Sequence, residues 1–139
     1  MKSTDFLDFK GPYSFDSAYK SAPGNAGVYF LRLKNGRSFS RIKGRTDIVY
    51  IGSSGNLKKR LRQYAHPGRF QWTNLKLDRF VKIYRHDSEF YWRERKNKDE
   101  SETEEWNLLR NYEKDHHEKP PLNGADKRIF SENARGSWG

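Results

Sequence analysis

Cysteine is absent from these 139 residues. Disulfides, thiolate metal sites and cysteine nucleophiles are excluded together. Long apolar runs are also missing. No stretch approaches the length of a membrane-spanning helix, and no basic segment followed by an apolar one opens the chain. The expectation is an unexported, cytoplasmic protein with no membrane role. A membrane-surface role would need an amphipathic basic helix with a bulky apolar face, which is not there. The four histidines, His66, His86, His116 and His117, show no zinc-ligand spacing, and His116-His117 reads as a solvated helix end. Acid is the scarcer charge: 18 Asp and Glu against 28 Lys and Arg leave a net charge of +10.

What is present must build a core from little. Hydrophobic residues make up 33% of the chain, so the aromatics, 4 Trp, 8 Tyr and 9 Phe, have to supply much of it. Tyrosine and tryptophan suit this because they bury a ring while keeping a polar tip wet. The length fits one domain. The charge is unevenly spread. Residues 99–118 are acidic, so the remainder is more basic than the total implies. Arg32, Lys34, Arg37, Arg41, Lys43 and Arg45 crowd one stretch; Lys58, Lys59, Arg60, Arg62, Arg69 and Lys76 form a second. Basic density interleaved with aromatics matches a polyphosphate backbone; a merely solvated basic face is the alternative.

Along the chain, residues 1–26 form an aromatic lead-in (Phe6, Phe9, Tyr13, Phe15, Tyr19) of irregular or short helical structure that packs on the domain. Gly27 to Leu33 alternates as a strand, with Val28 and Phe30 on one face and Tyr29, Leu31 and Leu33 on the other. Asn35-Gly36 signals a turn. A basic excursion follows, and Asp47 to Gly52 returns as the second strand. Asn56 caps a helix carrying Leu57, Leu61 and Tyr64, with Arg60 and Tyr64 on one face and Lys58, Lys59 and Arg62 turned outward. His66-Pro67-Gly68 ends it. Thr73 can cap a second helix bearing Leu77, Phe80, Val81 and Tyr84, with a strand over 80–84 as the competitor. Glu89 to Arg95 reads as a third strand by its aromatics. Ser101-Glu102-Thr103-Glu104 has capping-box spacing and starts a last helix with Trp106, Leu108, Leu109 and Tyr112. The domain closes at Gly124, and 125–139 is a polar tail.

The chemistry centres on two tyrosine-bearing strand patterns, Gly27-Val28-Tyr29 and Val49-Tyr50-Ile51-Gly52, followed by the basic helix with Arg60. A hairpin that delivers two tyrosines beside a fixed arginine has the look of a phosphodiester-cleaving site. Such a site also needs positive charge on the phosphate, which magnesium on a carboxylate supplies. Glu102, Glu104 and Glu105 are all candidates, and acids at a helix start are favoured by the dipole in any case.

These motifs resemble the GIY-YIG nuclease family, with valine replacing the first motif's isoleucine. The likeness covers roughly residues 27–124. It implies a small α/β domain with a three-stranded, mainly antiparallel sheet flanked by helices. It selects Glu105, since Glu105-Trp106-Asn107-Leu108-Leu109 matches the family's Glu-x-x-Leu-Ile helix and Pro120-Pro121-Leu122-Asn123 its Pro-x-x-Asn. By the resemblance, Tyr29 aligns or deprotonates the attacking water, and Tyr50 hydrogen-bonds water or phosphate. Arg60, ten positions after Tyr50 as in the family, stabilises the transition state. Tyr64 is an auxiliary site residue and Asn123 braces backbone nearby. Glu105 would hold Mg²⁺, with Mn²⁺ substituting, because magnesium takes few protein ligands and keeps its waters.

Two departures stand out. Ser53 occupies a place where some members have lysine, and the hairpin is longer than the tight family version. Its Arg41, Lys43 and Arg45, with Lys58, Lys59 and Arg62, are the expected contacts to DNA; for the hairpin a mobile surface loop is the alternative. The whole reads as a metal-dependent endonuclease of DNA, expected double-stranded. A stand-alone, restriction-like or phage-encoded enzyme is the expected subtype, and palindromic cutting would call for a homodimer. Two rivals are a non-catalytic nucleic-acid-binding module of the same fold and a single-strand-specific nuclease that stacks bases on its aromatics.

Overall fold

The computed structural model describes residues 6, 8–66 and 75–124. In chain order the elements are β1 (Lys10–Ser14), α1 (Ala18–Ser21), β2 (Gly27–Leu33), β3 (Phe39–Ser40), β4 (Arg45–Thr46), β5 (Ile48–Ser54), α2 (Leu57–Ala65), α3 (Leu75–Tyr84), a 3-10 turn at Arg85–Asp87, β6 (Ser88–Glu94) and α4 (Lys98–His116). The main sheet runs β1-β6-β2-β5, every pair antiparallel, and β3 and β4 make a separate small ribbon.

The sheet has four strands rather than the expected three. The added one, β1, comes from the aromatic lead-in and pairs Tyr13 with Phe90 and Lys10 with Trp92. Its Gly11-Pro12 core argues against a strand in isolation. As the outermost strand it has only one edge to pair, which is where proline is tolerated. Cross-strand packing then holds it: the Tyr13 ring stacks on Trp92 at 4.3 Å between centroids.

Helices cover both faces of the central strand β2. On one face Tyr29, Leu31 and Leu33 pack with Ala18 and Ala22 at α1, Leu57, Leu61 and Tyr64 of α2, and Leu77, Phe80 and Val81 of α3. On the other, Val28 and Phe30 pack with Ile51 and with Leu108 and Tyr112 of α4, joined at its margin by Phe6, Phe9 and Leu109. This is the alternation read from the sequence, with both faces made apolar because both are covered.

The helix starts differ in one case. Asn56 caps α2 as expected, its side chain accepting from Lys59 N at 3.0 Å. The helix carrying Glu105 begins earlier than Ser101. Asn97 is its cap, accepting from Glu100 N at 2.8 Å, and Ser101 lies inside, fully buried, with Oγ donating to Asn97 O at 3.0 Å. Asn97 to Glu100 repeats the capping spacing one turn upstream. The proposed cap Thr73 lies outside the described residues, as do Pro67, Gly68, Arg69 and the tail 125–139.

After α4 the chain doubles back along β5. Leu122 N donates to Val49 O at 2.9 Å, and the Asn123 amide brackets Ile51, accepting from its N at 3.0 Å and donating to its O at 2.9 Å. A side-chain amide thereby imitates a neighbouring strand at an otherwise open sheet edge. His116 is not a solvated helix end. Its ring packs on Tyr112 at 4.5 Å, and Nδ1 pairs with Lys43 O at 2.9 Å, because the β3–β4 ribbon folds back over it.

Candidate active site

The middle of β2 carries Tyr29, 1% exposed, toward α2. Its hydroxyl lies 2.6 Å from that of Tyr64, which α2 presents two turns after its cap. Tyr64 is also hydrogen-bonded to Tyr50 and to Arg60. Register explains the grouping. Leu31 faces Tyr50 and Tyr29 faces Gly52, so the two strand tyrosines share a face, their rings 6.3 Å apart. Arg60 and Tyr64 are one helical turn apart on α2 and meet them there. Tyr64, placed by the sequence as an auxiliary, is thus the hub to which the other three groups bond.

The close approach is allowed by Gly52. A Cβ there would sit 2.7 Å from both Cζ and the hydroxyl of Tyr29 and 3.0 Å from Tyr50 Cε2. Sequence reading treated this glycine only as part of a motif; a glycine inside a strand is the signal that something approaches the backbone. Gly52→Ala is expected to push Tyr29 off Tyr64. The overpacking should cost about 1–3 kcal/mol and roughly 3–10 °C in Tm. Thermal unfolding checks this, and an unshifted melt would show that the rings can yield.

Glu105 reaches the site from the other face. Val28 pairs with Ser53, so Ser53 points toward α4, and its hydroxyl donates to Glu105 Oε1. Because β5 is the sheet's edge strand, a carboxylate on one face and tyrosines on the other can meet around it. The Glu105 charge reaches Tyr50 there. The neighbouring glutamates are occupied differently. Glu104 is gripped by Arg93 and Arg95, with Arg95 Nη2 donating to Oε1 at 2.9 Å, which fixes α4 against β6. Glu102 is exposed beside Lys98. Burial and ion pairing therefore separate three acids that the sequence presents as equals.

The electrostatics favour neutral phenols. Burial pushes Tyr29 well above the usual tyrosine range, reinforced by Tyr64 and Tyr50 and opposed by Arg60. Tyr50 is also pushed well up, first by Tyr64, then by burial and by Glu105. Burial raises Tyr64 against the pull of its hydrogen bonds and Arg60. Burial works against the Arg60 charge, but the three tyrosines outweigh it, so the guanidinium stays protonated. A tyrosine whose folded pKa lies above its unfolded value contributes stability present in full below about pH 10 and lost as pH rises through the folded pKa. The Tm is expected to fall steeply above pH 10, and less steeply in Tyr29→Phe. Identical alkaline slopes for the two proteins would contradict this.

Residues 25–119 match the sequence model of the GIY-YIG catalytic domain, a span that takes in both tyrosine strands, α2 and all of α4. The chain belongs to the GIY-YIG family. No curated protein and no solved structure matches it significantly.

In this GIY-YIG domain the remaining site residues from the sequence fall into two sets. Lys59 and Arg62 are exposed on α2, whereas the Lys58 ammonium donates to Tyr19 O at 2.9 Å and Lys20 O at 3.4 Å, tying α2 to α1. Of the three ribbon cations expected to meet DNA, Lys43 and Arg45 are exposed and Arg41 is largely covered. The Arg41 and Arg45 guanidiniums also hydrogen-bond within the chain.

The donor chemistry suits a hard cation. Glu105 and Ser53 offer oxygen ligands at the sheet edge, and no group of three or more acidic or histidine side chains is placed to hold a metal ion among the described residues. One carboxylate beside a hydroxyl fits a magnesium that retains waters and takes phosphate oxygens, rather than one caged by protein. Among the described residues no helix is long and apolar enough to cross a membrane.

Proposed function

We propose that this GIY-YIG nuclease is a divalent-metal-dependent endonuclease of duplex DNA, restriction-like in carrying its DNA contacts within the catalytic domain. The observation that carries the reading is the convergence at the β5 edge: the Tyr64 hydroxyl bonded to Tyr29, Tyr50 and Arg60, with Glu105 close enough to act on Tyr50.

In this reading Glu105 holds the cation, Mg²⁺ with Mn²⁺ as substitute, and Ser53 orients the carboxylate. When bound, the cation supplies positive charge against the phosphate oxygens. Arg60 places a permanent planar charge where the phosphate's negative charge builds, and its bond to Tyr64 fixes that plane. Tyr29 is a neutral phenol in the free protein. In this reading its proton goes to Tyr64, which leaves its lone pairs to accept from, and so align, an attacking water. Tyr50 donates to water or phosphate at the same edge. Asn123, by holding Ile51 at both backbone groups, keeps Tyr50 and Gly52 at fixed height on β5. Palindromic cutting would require two such sites and hence a homodimer.

The test is nicking of supercoiled plasmid. Cleavage is expected with Mg²⁺ or Mn²⁺, absent with EDTA, and faster on duplex than on single-stranded substrate. Retained DNA binding without a cut under either metal would replace this reading with a binding module. Preference for single strands would replace it with the single-strand nuclease.

A further inference from the structure

The basic excursion between β2 and β5 ends in a tight turn that faces outward, and its construction is unusual for a surface loop. The strands pair Phe39 with Thr46 and Ser40 with Arg45, Arg41 N donates to Gly44 O at 2.8 Å, and Gly44 turns the chain at φ +74°. Two residues remain at the tip, Ile42 and Lys43. Every backbone contact described for them runs inward. Ile42 N donates to the Glu118 carboxylate, Lys43 N to His116 O at 3.1 Å, and His116 Nδ1 pairs with Lys43 O at 2.9 Å. His116 itself rests on Tyr112, which is fully buried in the core.

The arginines of the excursion serve as braces. Arg41, only 15% exposed, binds Glu118 at 2.8 Å and Lys119 O at 2.9 Å. Arg45 binds the Ser38 and Ser40 hydroxyls at 2.9 and 2.7 Å and Ser38 O at 3.0 Å. What this bracing presents is an isoleucine 73% exposed, beside an exposed lysine. A lone apolar residue on a surface needs no account. One held on a turn with its backbone fixed at several points is pre-organised, because the entropy of ordering it has already been met.

We propose that Ile42 is an apolar wedge that enters the duplex and partly unstacks one base step, with Lys43 on the adjacent phosphate. Proteins that kink DNA insert side chains of this kind, flanked by cations that hold the backbone. The net charge of +10 supplies the complementarity to the duplex. The tip sits at the His116 end of α4. Glu105 lies about 16 Å back along the helix axis. That is a span of roughly five base pairs. A duplex laid along α4 and engaged at Glu105 would meet the tip within one helical turn. The proposal rests on the nuclease reading and adds to it a deformation of the substrate. Arg41 and Arg45 become positioning residues, and the DNA contact passes to Ile42 and Lys43.

The test uses the full chain as Glu105→Gln, so that substrate survives, on a duplex whose cut position the wild-type protein has defined. 2-Aminopurine is placed at each position within eight base pairs of that cut. A several-fold rise in fluorescence is expected at one step, lost with Ile42→Ser and kept with Ile42→Leu. Lys43→Ala should weaken binding several-fold and leave the bright step in place. Binding and cleavage without a bright step, or a bright step unchanged by Ile42→Ser, overturns the wedge alone. A wild-type chain that neither binds nor cuts duplex overturns the nuclease reading and the wedge together. An Ile42→Ser change that dissociates a dimer and leaves the DNA signal intact reassigns the tip to self-association and also overturns the proposal.

Discussion

Glu105→Gln is expected to slow plasmid nicking by about a thousandfold, corresponding to roughly 4 kcal/mol of lost charge stabilisation. The substitution keeps shape and keeps an acceptor for the Ser53 hydroxyl, so the fold has little reason to change. What it removes is the charge that would hold a hard cation at the β5 edge. Binding to DNA without metal should be unchanged or slightly tighter, since a negative charge leaves the neighbourhood of the phosphates. Single-turnover cleavage at saturating protein, with affinity measured separately in EDTA, distinguishes these effects. Glu104→Gln is the control that separates chemistry from structure. It should lower Tm by releasing Arg93 and Arg95 from their shared partner, while cutting by what remains folded stays within about tenfold, a loss near 1.4 kcal/mol. Full nicking by Glu105→Gln would remove this residue as the metal ligand.

Arg60→Lys is expected to reduce the cleavage step by about a hundredfold or more, near 3 kcal/mol, with DNA affinity falling only a few-fold. Charge is conserved, so a simple counter-ion role predicts little effect. The guanidinium, however, bonds Tyr64 and still presents a planar face, and an ammonium cannot hold both geometries. The same change takes one hydrogen bond from Tyr64, the group on which Tyr29 and Tyr50 also rest. A second signature follows: Tyr64→Phe should reproduce part of the Arg60→Lys loss, and the double variant should be less impaired than the sum of the two. Additive losses would mean that Arg60 acts on the phosphate independently of the tyrosine cluster.

Much of this site was legible before any fold was built, because its periodicities are local. Alternation along 27–33 put Tyr29 and Leu31 on one face, the spacing of Arg60 and Tyr64 put them on one side of α2, and Asn56 capped that helix as read. Side-chain identity and spacing of two, three or four residues suffice for such statements, since strand and helix geometry fix the rest. The order of Tyr29, Tyr50, Arg60, Tyr64 and Glu105 likewise pointed to the GIY-YIG family, and the match over 25–119 agrees with it.

Other features were decided by contacts between segments far apart in sequence. The strand β1 forms through Lys10-Gly11-Pro12 because β6 offers an edge and Trp92 a ring, neither visible from residues 10–14. Glu102, Glu104 and Glu105 are chemically one type. Arg93 on β6, Arg95 just beyond it and Ser53 on β5 give them different partners. Arg41 and Arg45 read alike in a list of charges, yet Glu118 and Lys119 O hold a largely covered Arg41, whereas Ser38 and Ser40 brace an Arg45 that stays exposed. The sequence by itself therefore determined which residue types the chain possesses and which face of β2 and α2 they occupy. The tertiary structure decided which of them are already satisfied, because a hydrogen bond or ion pair depends on a partner that the local pattern does not contain.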